Sequence, residues 1–217
     1  MRIGVLLGGC GLYDGSDVHE TVLTLLALEA AGEKPILLAP DLSQDRTVDH
    51  LSGEEMPGER RGVLRESARL GRGSIQALSA CRPEDLEALI IPGGYGPVVN
   101  FSTGFARLGE PHRLVPEVRT FLDHFLDHRK PIGLVGLGEV PVRTLLGQEL
   151  DVPRAPGDPQ RLTVDQARRI VHTPGFVAFA RLEEVRTGIE AMVAEVLRLM
   201  ERTDHPEPPG PAAPEDE

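Results

Sequence analysis

Short uninterrupted apolar runs recur along the chain, each closed by glycine or proline. Ile3–Leu7 runs into Gly8 and Gly9, and Pro35–Ala39 stops at Pro40 and Asp41. Ala88–Ile91 leads into Pro92-Gly93-Gly94-Tyr95-Gly96, and Pro131–Val135 ends at Gly136. Runs this short, bounded by turn formers, read as strands buried on both faces. Helical spacing fills the intervals. Val18, Val22, Leu25, Leu26 and Leu28 follow Asp17 and precede Gly32, which predicts a capped helix. Further helices are predicted at Arg61–Arg72, Val115–His128, Val140–Leu146 and Leu182–Arg202. Leu42–Pro57 and Asp151–Gln160 read as irregular, and Leu162–Val164 with Arg169–His172 as a small hairpin.

This alternation predicts an α/β fold: a doubly wound, mostly parallel sheet of the flavodoxin-like kind, with helices on both faces and right-handed crossovers. The 217 residues suffice for one core, so residues 1–202 are expected to form a single domain. Residues 203–217 are rich in proline and acid and are expected to be a disordered tail.

Composition narrows the picture. Aromatic residues make up 4% and Trp is absent, so the core must come from Leu, Val, Ile and Ala. Two cysteines, Cys10 and Cys81, make no disulfide framework in a chain of this length. The first apolar run is too short for a secretory signal, and no stretch approaches the roughly 18 apolar residues of a membrane span. The expectation is a cytoplasmic protein. A formal net charge of −11 disfavours nucleic acid and anionic membrane surfaces as partners.

In a sheet of this type ligands bind beyond the carboxyl ends of the strands. Three glycine-rich exits meet that condition: Gly8–Asp17, Pro92–Asn100 and the turn at Gly136. The residues in them carry a family resemblance. Gly9-Cys10-Gly11-Leu12-Tyr13-Asp14-Gly15-Ser16-Asp17-Val18-His19-Glu20 is similar to the SGCGVYDGSEIHE signature of ElbB-type proteins. These are the isoprenoid-biosynthesis, glyoxalase-like branch of the PfpI, or class I glutamine amidotransferase-like, superfamily. Support continues through Val63–Arg69 with Arg72-Gly73, Ile91–Gly96 with Asn100, Lys130–Gly133, and Thr173–Phe176.

The resemblance implies a nucleophilic cysteine at a strand-to-helix elbow, an adjacent acid and a backbone oxyanion site. It places the acid at Glu20 and the oxyanion donors at the N–H groups of Gly94 and Leu137. It lines the pocket with Gly93, Asp14, Asp17, His19 and Asn100, and it implies a homodimer. The nucleophile position falls on Gly136, which has no side chain, so ordinary elbow-thiol catalysis is expected to be lost. Two more departures accompany it: Asp151–Thr163 is shorter than its family counterpart, and Val99 replaces a lysine.

Cys10 remains as an alternative nucleophile or as a structural or ligand-lining residue. Glu20 is either a site acid or a first-turn acid complementing the helix dipole. His124 and His128, spaced i and i+4, suit either a metal or an exposed polar helix face. His172–Gly175 reads as a hairpin exit, and Cys81 as a turn residue without a role. No cofactor or metal is expected, and the implied partner is a small carbonyl or carboxylate metabolite. The expectation is an altered, non-catalytic binding or regulatory protein (a pseudoenzyme), with a glyoxalase-like enzyme using Cys10 or Glu20 on small α-oxoaldehydes as the alternative.

Overall fold

The computed structural model describes residues 1–103, 113–152, 158–176 and 180–201. In chain order these form β1 (Ile3–Leu6), α1 (Val18–Ala30), β2 (Ile36–Ala39), α2 (Val63–Leu70) and β3 (Gln76–Ala77). There follow β4 (Ala88–Ile91), α3 (Gly96–Val99), β5 (Ser102–Thr103), β6 (Arg113–Leu114) and α4 (Pro116–Asp127). The chain continues with β7 (Ile132–Val135), α5 (Val140–Leu146), β8 (Thr163–Asp165), β9 (Ile170–Thr173) and α6 (Leu182–Glu201).

Seven strands form one sheet in the order β3-β2-β1-β4-β7-β9-β8, parallel throughout except for the β8–β9 pair. Each central strand is too short and too apolar to expose either face, so successive side chains enter opposite cores. Ile3, Val5, Ile90 and Val171 pack with α1 and α6 through Leu28, Ile189, Met192 and Val196. Leu6, Leu89, Ile91, Ile132 and Leu134 pack on the other face with Phe121, Leu122 and Phe125 of α4. Gly133 lets α6 approach closely, because a Cβ there would meet the Met192 sulfur at 2.4 Å.

The doubly wound sheet predicted from the apolar runs is the one observed. Helix ends differ by a residue or two; Arg61–Arg72 contracts to Val63–Leu70. The larger correction concerns the predicted hairpin. β8 and β9 do pair antiparallel, but β9 also runs parallel to β7 in full register from Ile132↔Ile170 to Val135↔Thr173. His172–Gly175 is therefore the exit of a central strand. Strands β3, β5 and β6, two residues each, were too short to read from periodicity. The tail at 203–217 and part of the Asp151–Gln160 loop lie outside the described residues. No helix among the described residues is long and apolar enough to cross a membrane.

Candidate functional site

Helix α1 starts where the β1 exit loop ends. The Asp17 carboxylate accepts the Glu20 N–H at 2.9 Å, while its carbonyl accepts the Thr21 N–H at 3.0 Å. This N-cap fixes the first turn and sends the Glu20 side chain inward, leaving it 3% exposed. The β1 and β4 exit loops are then laced together. Asp17 N–H donates to Gly93 O at 2.9 Å, Tyr95 N–H to Leu12 O at 2.8 Å, and Gly96 N–H to Gly15 O at 2.8 Å.

Glu20 stands at the meeting point of three strand exits. Its Oε2 accepts the Gly93 N–H after β4 at 2.8 Å, and its Oε1 accepts the Phe176 N–H after β9 at 2.8 Å. The third exit, after β7, is a sharp turn at Gly136, where φ is +50°. This conformation is left-handed and disfavours any residue with a Cβ by about 1–2 kcal/mol. A Cβ on Gly136 would lie 3.3 Å from Glu20 Oε1 and 3.6 Å from Oε2. A side chain at the elbow would thus begin in contact with the buried acid.

Two other glycines complete the enclosure. A Cβ on Gly93 would come within 2.5 Å of Glu20 Oε2, and one on Gly175 within 2.3 Å of Oε1. Burial, followed by repulsion from Asp17, pushes the Glu20 carboxyl up from its ordinary 4.5 to about 7, against the two backbone hydrogen bonds that favour its charge. It can therefore hold or release a proton near neutrality.

Beneath the elbow lies His172 on β9, fully buried. Neither ring nitrogen completes a hydrogen bond with a described residue, although the Gly136 backbone lies close enough to favour the charged form weakly. Burial dominates and pushes the imidazole down to about 4, with Arg143 adding to the effect. Arg143 itself pairs with the buried Glu139 in the turn after Gly136 and donates to Val152 O at 2.8 Å.

Of the residues expected at the site, Glu20, Gly93, Gly136 and Leu137 come together; the Leu137 nitrogen lies 3.0 Å from where a Gly93 Cβ would be. At Gly94, with φ at +81°, the Cβ side is closed by Gly15, Ser16 and the Asp17 nitrogen. Asn100 bridges loops from a fully buried position, donating to Gly8 O and Asp14 O and accepting the Asp45 N–H. Asp14 is buried and accepts the Val48 N–H. Asp17 is spent as the helix cap, and His19 is exposed beside Phe176. Burial pushes the Cys10 thiol up, and the charges that act on it are Arg69, Glu66 and Asp14.

His124 and His128 stack at 4.1 Å on α4, at the opposite end of the sheet from the elbow. No cluster of three or more metal-ligating side chains occurs among the described residues. Sequence reasoning assigned Gly175, Phe176 and His172 no place in the site: His172–Gly175 read as a hairpin exit, and Thr173–Phe176 as part of a resemblance and not as a wall of the site.

A parallel doubly wound sheet with a sharp elbow after a central strand, facing a buried acid, defines the PfpI, or class I glutamine amidotransferase-like, class. No protein-family model matches the chain. It is 35% identical to the human glutamine amidotransferase-like class 1 domain-containing protein 3, mitochondrial, over 91% of this chain and 83% of that protein. It is 34% identical to the rat ES1 protein homolog, mitochondrial, over 91% and 84%. Among solved structures, an isoprenoid biosynthesis protein with an amidotransferase-like domain from Ehrlichia chaffeensis superposes with a TM-score of 0.84. It is 29% identical and covers 92% of this chain and 100% of that one. The chain belongs to this ElbB-like, ES1-related family of class I glutamine amidotransferase-like proteins. The expected cytoplasmic location is overturned, because these curated relatives are mitochondrial proteins; the lack of a long apolar segment says nothing about compartment.

Proposed function

We infer that this protein is an altered member of its family, without elbow-thiol chemistry, acting by binding a small carbonyl or carboxylate metabolite or by regulation. One observation carries the reading. The elbow keeps its left-handed turn and its aim at Glu20, 3.3 Å from the vacant Cβ position, yet the residue there is Gly136. Glu20 supports it further: its oxygens are held by Gly93 and Phe176, so it ties three loops together whether or not a nucleophile is present.

A second reading, a glyoxalase-like enzyme on small α-oxoaldehydes, draws on the Glu20 carboxyl near 7, a value suited to proton transfer at neutral pH. Cys10 contributes little to it, since a thiol pushed up by burial is a poor nucleophile. Incubation with methylglyoxal and glyoxal separates the two readings. The first expects turnover no higher than a heat-killed control. Turnover well above it, abolished by Cys10→Ser or Glu20→Gln, overturns that reading. A homodimer is the assembly proposed alongside it, and light scattering across a concentration series should return twice the 23.5 kDa chain mass. A monomer throughout would refute that part.

A further inference from the structure

The excursion between β2 and α2 forms an arm that the elbow does not use. Its two legs are bridged antiparallel at Ser43↔Gly62 and at Val48↔Glu55, with Met56 N–H donating to Thr47 O at 2.8 Å. One side chain of the arm, His50, holds the loop after β1. Its Nδ1 lies 3.1 Å from Val48 O, and a carbonyl only accepts, so Nδ1 carries the proton. Its Nε2 accepts the Leu12 N–H at 2.9 Å and the Tyr13 N–H at 3.3 Å. The imidazole is therefore neutral in this arrangement.

A second partner for that nitrogen stands beside it. Asp14 is 1% exposed; its Oδ2 accepts the Val48 N–H at 2.9 Å, while its Oδ1 has no hydrogen-bond partner among the described residues. An unpaired oxygen on a buried carboxylate is costly. Oδ1 lies 3.7 Å from His50 Nε2. Gly11, at φ +141°, leaves room for both: a Cβ there would lie 2.6 Å from Nε2 and 2.9 Å from Oδ1.

The two pairings exclude each other. A protonated Nε2 has no lone pair and can no longer accept from Leu12 and Tyr13. As a donor it is drawn to the Asp14 carboxylate, and closing to a charge-assisted hydrogen bond takes a shift of about 1 Å. Asp14 favours the charged ring, and the two N–H groups oppose it. Other groups face the pair. The Tyr13 ring packs on the imidazole at 5.1 Å, Asp49 precedes it, and Arg46 and Glu55 pair on the arm. From the α2 side Arg61, Glu66 and Arg69 act near Asp14, with the Cys10 thiol. The Leu12–Tyr13 peptide also ties two strand exits: its N–H goes to His50, and its carbonyl accepts the Tyr95 N–H after β4.

We propose that His50 is a pH-sensitive latch: neutral, it clasps the arm to the loop after β1; protonated, it turns to Asp14 and releases the Leu12 and Tyr13 N–H groups. The latch is separate from the Glu20 centre and does not depend on the reading of the elbow. Amide hydrogen exchange followed by NMR on the full chain, from about pH 8 to about pH 5, tests it, with the His50 ring nitrogens followed in parallel. At the upper end the ring should carry its proton on Nδ1 alone. As it takes up a second proton, protection at Leu12 and Tyr13 should fall about tenfold after correction for intrinsic exchange, the loss of one hydrogen bond. Met56, inside the arm, should keep its protection.

His50→Gln cannot take up a proton, so protection at Leu12 and Tyr13 should no longer depend on pH; circular dichroism checks that this variant folds. Asp14→Asn keeps an acceptor for the Val48 N–H and removes the charge, so protonation of the ring should move to lower pH. A ring protonated on Nε2 at the upper end, or one that stays neutral throughout, overturns the proposal. So do amides that stay protected while the ring protonates, the same pH-dependent loss in His50→Gln, and an unmoved ring transition in Asp14→Asn. Loss at Met56 together with Leu12 and Tyr13 overturns it too, since that would mark opening of the whole arm.

Discussion

Glu20 and His172 are buried within the same few loops and are pushed in opposite directions. Glu20 is raised from 4.5 to about 7, so between those values the folded state holds more protons than the unfolded chain, and its contribution to stability falls as pH rises. His172 is lowered from 6.5 to about 4, so its contribution is lost as pH falls through that window. Each is worth on the order of 3 kcal/mol across its range. From about pH 4.5 to 6.5 the two slopes oppose and nearly cancel. Urea unfolding should therefore show a flat contribution from this pair in the wild type. His172→Leu should unmask a stability that falls with rising pH, and Glu20→Gln one that falls with decreasing pH. Profiles left parallel to wild type by both substitutions would mean that neither group is in the state described.

At the scale of elements, the sequence was most informative where hydrophobicity is two-sided. Ile3–Leu6, Ala88–Ile91 and Ile132–Val135 are buried along their whole length, which an unbroken apolar run announces. α1 was legible as a capped helix but not in its rotation: Val18, Val22 and Leu26 are 40–51% exposed while Glu20, Thr21 and Thr24 are buried. The N-cap and the demand for an acid beneath the elbow set the rotation of this helix, and apolar periodicity carries no trace of either. The hairpin of β8 and β9 was legible, but the second partner of β9 was not, for a related reason. Four buried residues next to a hairpin look the same whether or not a second strand pairs on their other edge. At the site, Glu20, Gly93 and Gly136 were legible through their motifs. The backbone donor of Phe176 was not, because a main-chain N–H has no side-chain signature.

For the whole molecule, the site exists only because distant parts of the chain converge. Glu20 and Phe176 are 156 residues apart in sequence, and Glu20 and Gly93 are 73 apart. The parallel order of β1, β4, β7 and β9 brings their carboxyl ends side by side, and the acid at the start of α1 closes over them. We propose that the elbow position and Glu20 form one site in which Gly136 supplies no reacting side chain. The most direct test restores a thiol with Gly136→Cys in a Cys10→Ser, Cys81→Ser background and follows its alkylation by iodoacetamide across pH. With the Cβ 3.3 Å from the carboxyl, the rate should show an inflection near pH 7 that disappears in Glu20→Gln. The same pH profile with and without Glu20 would mean that the elbow and the acid are not one site.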